Sequence, residues 1–419
     1  MSDTIPLPQE IREVVTFDKG KPPAQQPYFG SDAEIYLTPE YLRGGEASDP
    51  IKASVKAVRT SHGDTIVLWD GSNAGEVFRA KCGVLSSTMT RLRHGDTFDR
   101  AYFFFALKGW EAHLKGQTSG SGIPHVDKEV LGKLKILKFP KPEQTKIAEI
   151  LSTVDRAIEQ TEALIAKQQR LKTGLMQDLL TRGIDEHDNL RSEQTHQFKD
   201  SPLGRIPVEW EVSMLGEIAE VKGGKRLPAG HSYSSADTGH RYFRVTDFYQ
   251  KEIDYFLLEM LEESTFKALQ RYEIKRGDLC VSIAGSLGYF AHYLPPDEFQ
   301  TILTENAARI VPKTGFIPSL LCSILNSDRV QMQIEEEKGV GGGVPKLALF
   351  RIRSLLVPLP SCENEQSRIL GLLASQSEAF TATMTALTKL RALKTALMQD
   401  LLTGRKRVTA LLDGKEAIA

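Results

Sequence analysis

Twelve polar and basic side chains sit on glycine-rich or turn-forming stretches at matching places in two halves of this chain. In the first half they are Lys19, Lys21, Ser72, Asn73, Thr118 and Ser119. In the second they are Lys222, Lys225, Arg226, Arg241, Arg244 and Ser286. Lysine and arginine neutralise phosphates, and arginine, asparagine and serine also reach base edges in a major groove. That is the chemistry of recognition, not of bond making. For any single one of them a solvated surface position is the competing reading. Glycines at 120, 122 and 341–343 serve either tight turns or close approach to a backbone.

Catalytic patterns are missing. No Gly-x-x-x-x-Gly-Lys-Ser/Thr phosphate loop occurs, so nothing points to a motor or ATPase. The Asp/Asn-Pro-Pro-aromatic signature of amino-methyltransferases is absent too, since Pro295-Pro296 follows Leu294 and precedes Asp297. Glu336-Glu-Lys338 could be forced into a nuclease-like acid-x-Lys pair, but it lies in a charge run that reads as a solvated face. The 9 histidines show no metal-ligand spacing. Cys82, Cys280, Cys322 and Cys362 are scattered, as in a cytosolic chain with unpaired thiols. The expectation is a chain that binds, with no catalytic residue, metal or cofactor of its own.

The elements that must position these side chains announce themselves by repetition. Leu171 to Thr181 reads LKTGLMQDLLT and Leu393 to Thr403 reads LKTALMQDLLT, differing only at Gly174 against Ala396. The same offset pairs Glu143-Gln144 with Glu365-Gln366, Ile147 with Ile369 and Leu151 with Leu373. In the first copy Ile147, Leu151, Val154, Ile158, Ile165, Leu175 and Leu179 recur at helical spacing. The second keeps the stripe with Ile369, Leu373, Phe380, Leu387, Leu390, Leu397 and Leu401. A helix from about Thr145 to Leu180 would run roughly 54 Å and must bury that stripe, most simply on the other copy. A generic helical hairpin or dimerisation coil shares the pattern.

A fainter repeat covers the globular parts. His62-Gly-Asp-Thr-Ile-Val67 matches Arg276-Gly-Asp-Leu-Cys-Val281, and Leu85 to Leu92 matches Leu303 to Ile310. Gln117 to Pro124 matches Lys338 to Pro345, and Asp18-Lys-Gly-Lys21 resembles Lys222-Gly-Gly-Lys225. The chain therefore divides at 1–139, a long helix at 140–184, a polar and mobile linker at 185–204, a second globular domain at 205–357, a second long helix at 358–407 and a tail at 408–419.

Composition is that of an ordinary globular protein: 41% hydrophobic and 26% charged residues over 419 positions. A net charge of −1 is unlike a strongly basic nucleic-acid binder unless the cations gather on one face. No apolar run approaches a membrane span, Tyr102 to Leu107 being the greasiest stretch. The start MSDTIPLPQE does not read as a secretory signal, and a cytoplasmic location is expected.

The organisation resembles the specificity subunit of type I restriction–modification systems over essentially the full length. The most specific parts are Asp200-Ser-Pro-Leu-Gly-Arg-Ile-Pro-Val-Glu-Trp210 continuing to Leu215-Gly-Glu-Ile218, the proline-rich approaches to Glu-Gln at 140–144 and 358–366, and the two LMQDLLT phrases. The first half departs from this pattern, with Pro6-Leu-Pro-Gln-Glu-Ile11 as an abbreviated start. The implied fold is α+β: two similar α/β target recognition domains separated by two long antiparallel coiled-coil helices, an internal pseudo-two-fold repeat. The implied function is non-catalytic reading of double-stranded DNA at an asymmetric bipartite site. The implied partners are two methyltransferase subunits carrying S-adenosylmethionine, and endonuclease/translocase subunits that use ATP and Mg2+. Two alternatives stand beside it: a DNA reader for a methylation-only defence complex, and a coiled-coil scaffold with two ligand- or protein-binding domains.

Overall fold

The computed structural model describes residues 6–119, 122–249, 252–338, 346–360 and 362–412. They fall into two compact units, one of residues 1–165 with 383–419 and the other of residues 166–382. Each unit is larger than a globular domain alone, because it takes in half of each long helix.

In the first unit a four-stranded antiparallel sheet runs in the order Thr16–Lys19, Met89–Arg93, Thr65–Leu68, Val77–Arg79. All four residues of the interior strand Thr65–Leu68 are buried, which is why it reads as an unbroken apolar run rather than an alternation. Beside it, Tyr36–Leu37 runs parallel to Gly83–Leu85, and Arg59–Thr60 pairs with the same strand from the other side. The greasy stretch lies in the helix Arg100–Lys108, where Asp99 caps the N-terminus by accepting from Ala101 and Tyr102 N–H. Its Tyr102, Phe103 and Phe105 are fully buried in a core shared with Ile147, Leu151 and Leu401 from the long helices.

The second unit repeats the main sheet strand for strand. Ala219–Gly223, Ala307–Pro312, Leu279–Ser282 and Phe290–His292 form a sheet of the same order. Register agrees as well as order, since Val67 faces Thr90 and Val281 faces Ala308, the residues that the sequence matches equate. The companion sheet gains one strand, Glu259–Met260, outside the parallel pair His240–Phe243 and Gln300–Leu303. The abbreviated start of the first domain is the same device as the longer one. Leu7–Glu10 pairs with Lys135–Lys138 and leads into the helix Ile11–Val14, just as Glu211–Met214 pairs with Leu356–Leu359 and leads into Leu215–Ile218.

The long helices span Lys141–Arg182 and Glu363–Leu402. Pro142 falls in the first turn, where a missing N–H costs no helical bond. Within the first unit Asp155 meets Lys394 at 2.6 Å and Glu162 meets Arg391 at 2.7 Å, so the two segments run antiparallel there. Within the second, the Lys172 ammonium lies 6.0 Å over the Phe380 ring. Every seam position named from sequence is buried or half-buried.

The repeated Glu-Gln pair fastens helix to domain twice over. Gln144 accepts from Asp99 N–H at 2.6 Å and donates to Phe139 O, and Gln366 accepts from Ile317 N–H at 3.1 Å and donates to Pro360 O. Glu143 takes a bidentate bond from Arg407 at 2.7 Å, while Glu365 takes Arg191 at 2.5 Å and Trp210 Nε1 at 3.3 Å. In each unit, therefore, the glutamate opening one long helix holds an arginine that follows the end of the other. Arg191 belongs to the linker expected to be mobile. That linker is instead fastened, by this buried ion pair and by pairing of Phe198–Lys199 with Ile206–Pro207.

Candidate nucleic-acid interface

In the first domain the strand Thr16–Lys19 runs into Gly20, which packs so tightly that a Cβ there would stand 2.0 Å from Ser86 O. Only glycine passes, and the pass fixes Lys19 and Lys21 on either side of it. Asp70 then gathers the neighbouring loops. Its carboxylate binds Lys19 Nζ at 2.8 Å and His125 Nδ1 at 2.7 Å. Burial pushes this carboxyl upward, but the hydrogen bonds from Lys19 and His125 outweigh it and leave it below the usual carboxylate range. The turn carrying Ser72 and Asn73 is joined to the glycine-rich loop by Gly71 N–H donating to Pro124 O at 3.0 Å. Across the base of that loop Ser119 pairs with His125 and Thr118 with Val126. Ser72 and Asn73 also line a shallow cleft of about 400 Å³ with Thr38, Arg43, Ser86 and Thr88. The matched residues of this half thus converge, with exposed Lys21 one residue beyond Gly20.

The second domain repeats the backbone and changes the side chains. A Cβ on Gly224 would stand 2.1 Å from Thr304 O, and Gly224 N–H donates to Ala307 O as Gly20 N–H does to Met89 O. The next residues are Lys225, whose carbonyl accepts from Tyr242 OH at 2.8 Å, and exposed Arg226, which meets Glu305 at 2.7 Å. Lys222 is exposed beside Glu220 at 2.7 Å, and Ser286 is exposed on its turn. Arg241 and Arg244 differ from these. Arg241 is bound to Asp237 at 2.8 Å and lies over the Phe299 ring. Arg244 donates to fully buried Asp247, to Glu259 and to Leu257 O. Both guanidinium groups are engaged inside the domain, where they brace turns.

Equivalent positions carry unlike chemistry. Asp18 stands where the second domain has Lys222, Lys19 where it has Gly223, Asp70 where it has Ala284, and His125 where it has Lys346. His125 escaped the sequence reading, although it directly follows the matched glycine-rich stretch. Gly120 and glycines 341–343 lie outside the described residues. Gly122 is described, and a Cβ on it would meet no atom within 4 Å, so no close approach inside the fold requires glycine there. Among the described residues no group of His, Cys, Asp or Glu could hold a metal ion, and no helix is long and apolar enough to cross a membrane.

Known proteins are similar to this chain in sequence and in fold. The family described as "Type I restriction modification DNA specificity domain" matches residues 8–168 and 207–392, once for each repeat. The Type I restriction enzyme MjaVIII specificity subunit of Methanocaldococcus jannaschii is 32% identical over 413 residues, covering 96% of this chain and 93% of that protein. The EcoBI specificity subunit of Escherichia coli is 21% identical over 309 residues, covering 72% and 64%. Among solved structures, the type I S subunit from M. genitalium aligns with TM-score 0.57 at 17% identity, over 96% of this chain and 97% of that one. A chain from a structural study of type I R-M complex assembly and conformational transition aligns with TM-score 0.61 at 14% identity, over 95% and 97%. At such identities the structures speak for the fold, while the family match and the archaeal relative speak for descent. A chain with two specificity repeats in one register, each offering a different polar surface, belongs to the type I restriction–modification specificity subunit family.

Proposed function

We propose that this chain reads an asymmetric, bipartite sequence in double-stranded DNA, one half-site for each domain, with bases between them that neither domain reads. The observation that carries this is the pairing of identical register with unlike display: Lys19, Asp70 and His125 against Gly223, Ala284 and Lys346. Lys19, Lys21, Lys222, Lys225 and Arg226 supply the phosphate contacts, and Ser72, Asn73, Thr118, Ser119 and Ser286 address base edges. Arg241 and Arg244 hold those loops in shape.

The long helices dock two methyltransferase subunits. Their repeated phrase agrees at buried and exposed positions alike. Leu171 and Leu393, its first residues, are 56% and 47% exposed. Packing within the chain gives no reason to keep a leucine there, whereas two copies of one partner would. S-adenosylmethionine then resides on those subunits, and ATP and Mg2+ on endonuclease subunits that join them, in the cytoplasm. The test is mapping of methylated bases in cells expressing the system, together with binding of the purified chain to a random duplex library across a salt series. Two different half-sites and affinity falling steeply with salt support the reading. Salt-independent, sequence-blind binding sinks it.

A further inference from the structure

Among the described residues, each recognition domain holds one large apolar side chain wholly in solvent. Phe256 is 99% exposed on the 3-10 turn Tyr255–Leu257, and Val55 is fully exposed on the turn at 54–57. Both turns are closed by one backbone bond, Leu257 N–H to Asp254 O at 3.2 Å and Ala57 N–H to Ser54 O at 3.0 Å. Both occupy the same connection of the repeat. It follows the strand that runs parallel in the companion sheet, Tyr36–Leu37 or His240–Phe243, and precedes Arg59–Thr60 or Glu273–Ile274. A phenyl ring left in water adds nothing to the stability of its own fold.

The turn under Phe256 is braced rather than loose. Asp254 N–H donates to Asp247 O at 2.9 Å, and the Asp254 carboxylate accepts from Phe256 N–H at 3.1 Å. Leu257 O accepts from Arg244 Nη2 at 2.9 Å, and Asp247 anchors that guanidinium from within the core. Next to Arg244, Val245 Cγ1 lies 3.7 Å from where a Cβ on Gly285 would stand, beside Ser286. The ring thus rises from a framework that adjoins the turn carrying Ser286.

We propose that Phe256 is a DNA wedge: its ring stacks on, or enters, one base step of the second half-site, and Arg244 is its positioning residue. This rests on the DNA-reading function proposed above. An apolar side chain driven between bases kinks the duplex, and flexible pyrimidine–purine steps yield most readily. The ring therefore adds sequence preference without a hydrogen bond. Val55 lies in the corresponding connection of the first domain, four residues before Arg59–Thr60, and has no π face with which to stack. Phe256 and half-exposed Leu257 stand on a turn that Arg244 and Val245 tie to the loop bearing Ser286, so the occupant proposed is the DNA read there.

The test compares the full-length chain with its F256A and F256W variants on a duplex library with a randomised core. Phe256 makes no core contact, so F256A should unfold as the parent does. Its affinity should fall about 5- to 150-fold, the range for one lost stacking partner. One step of one half-site should relax, and the slope of log affinity against log salt should stay unchanged. F256W should retain the preference, and 2-aminopurine placed at that step should brighten with the parent chain but not with F256A. If F256A selects the same sequence at the same affinity, the wedge is wrong while the DNA-reading function stands. If F256A loses only its retention of methyltransferase subunits, the ring serves a protein partner and the wedge is overturned. Parent-chain binding that ignores salt and sequence would remove the underlying function itself.

Discussion

The two glycines that close the first strands carry as much of the site as any charged residue. A Cβ at Gly20 or Gly224 would stand 2.0 or 2.1 Å from a carbonyl oxygen of a facing loop, and backbone on both sides must move to admit it. G20A and G224A should each cost about 1–3 kcal/mol by denaturant unfolding. Methylation mapping should show the first half-site damaged in one variant and the second in the other. The buried Glu365 behaves differently, because its removal strands Arg191 in the interior. E365A should cost roughly 3–5 kcal/mol, and adding R191A should restore part of it in a double-mutant cycle. Asp70 is a surface matter with a defined sign. Its folded pKa lies below the ordinary carboxylate value, so its contribution is present above that value, about 3.9, and is lost as pH falls through the lower folded one. D70N and the parent should therefore differ in stability near neutral pH and converge in strong acid, which urea unfolding across a pH series would show.

At the scale of elements, the long helices combine two kinds of leucine. Leu387 is buried on the seam, and L387A should cost about 2–5 kcal/mol by transfer and cavity terms. Leu171 and Leu393 face solvent, and L171A with L393A should stay within about 0.5 kcal/mol of the parent. If their repetition reflects docking, the double variant should nonetheless lose methyltransferase subunits on co-purification. Full retention would place the docking surface elsewhere. Gln144 and Gln366 tie the same helices to the domains by closing the N-termini of the helices Arg100–Lys108 and Pro318–Leu325. Each long helix is thereby part of a recognition domain, and not a strut attached to one.

At the scale of the whole molecule, two domains of one register make exchange the natural experiment. Replacing residues 205–357 with the matching domain of a relative should change one half-site and leave the other as it was. Simultaneous change in both would mean that the domains do not read independently. The purified chain should neither methylate nor cut DNA, and either activity in a partner-free preparation would contradict the division of labour proposed here.

Much of this architecture was legible in the sequence, because it is written in local periods and in repetition. Helical stripes from Ile147 to Leu179 and from Ile369 to Leu401 identify the long helices without tertiary knowledge. The phrases around Val67 and Val281 equate the two central strands, and the structure pairs them in one register. Even the abbreviated start at Pro6 to Ile11 is a strand and helix like its longer counterpart. What the sequence left open depends on who meets whom across long separations. Arg191 finds Glu365 over 174 residues and Arg407 finds Glu143 over 264, so a linker that reads as mobile is fastened. Arg226, Arg241 and Arg244 all read as free cations, until folding places Glu305 against the first and Asp237, Asp247 and Glu259 against the other two, which are also drawn into the domain. His125 enters the site only because Asp70 is there to bind it. Residue type and spacing determine which side chains can recognise DNA. Which of them are held by partners inside the chain is decided by the tertiary fold, because only the fold supplies those partners.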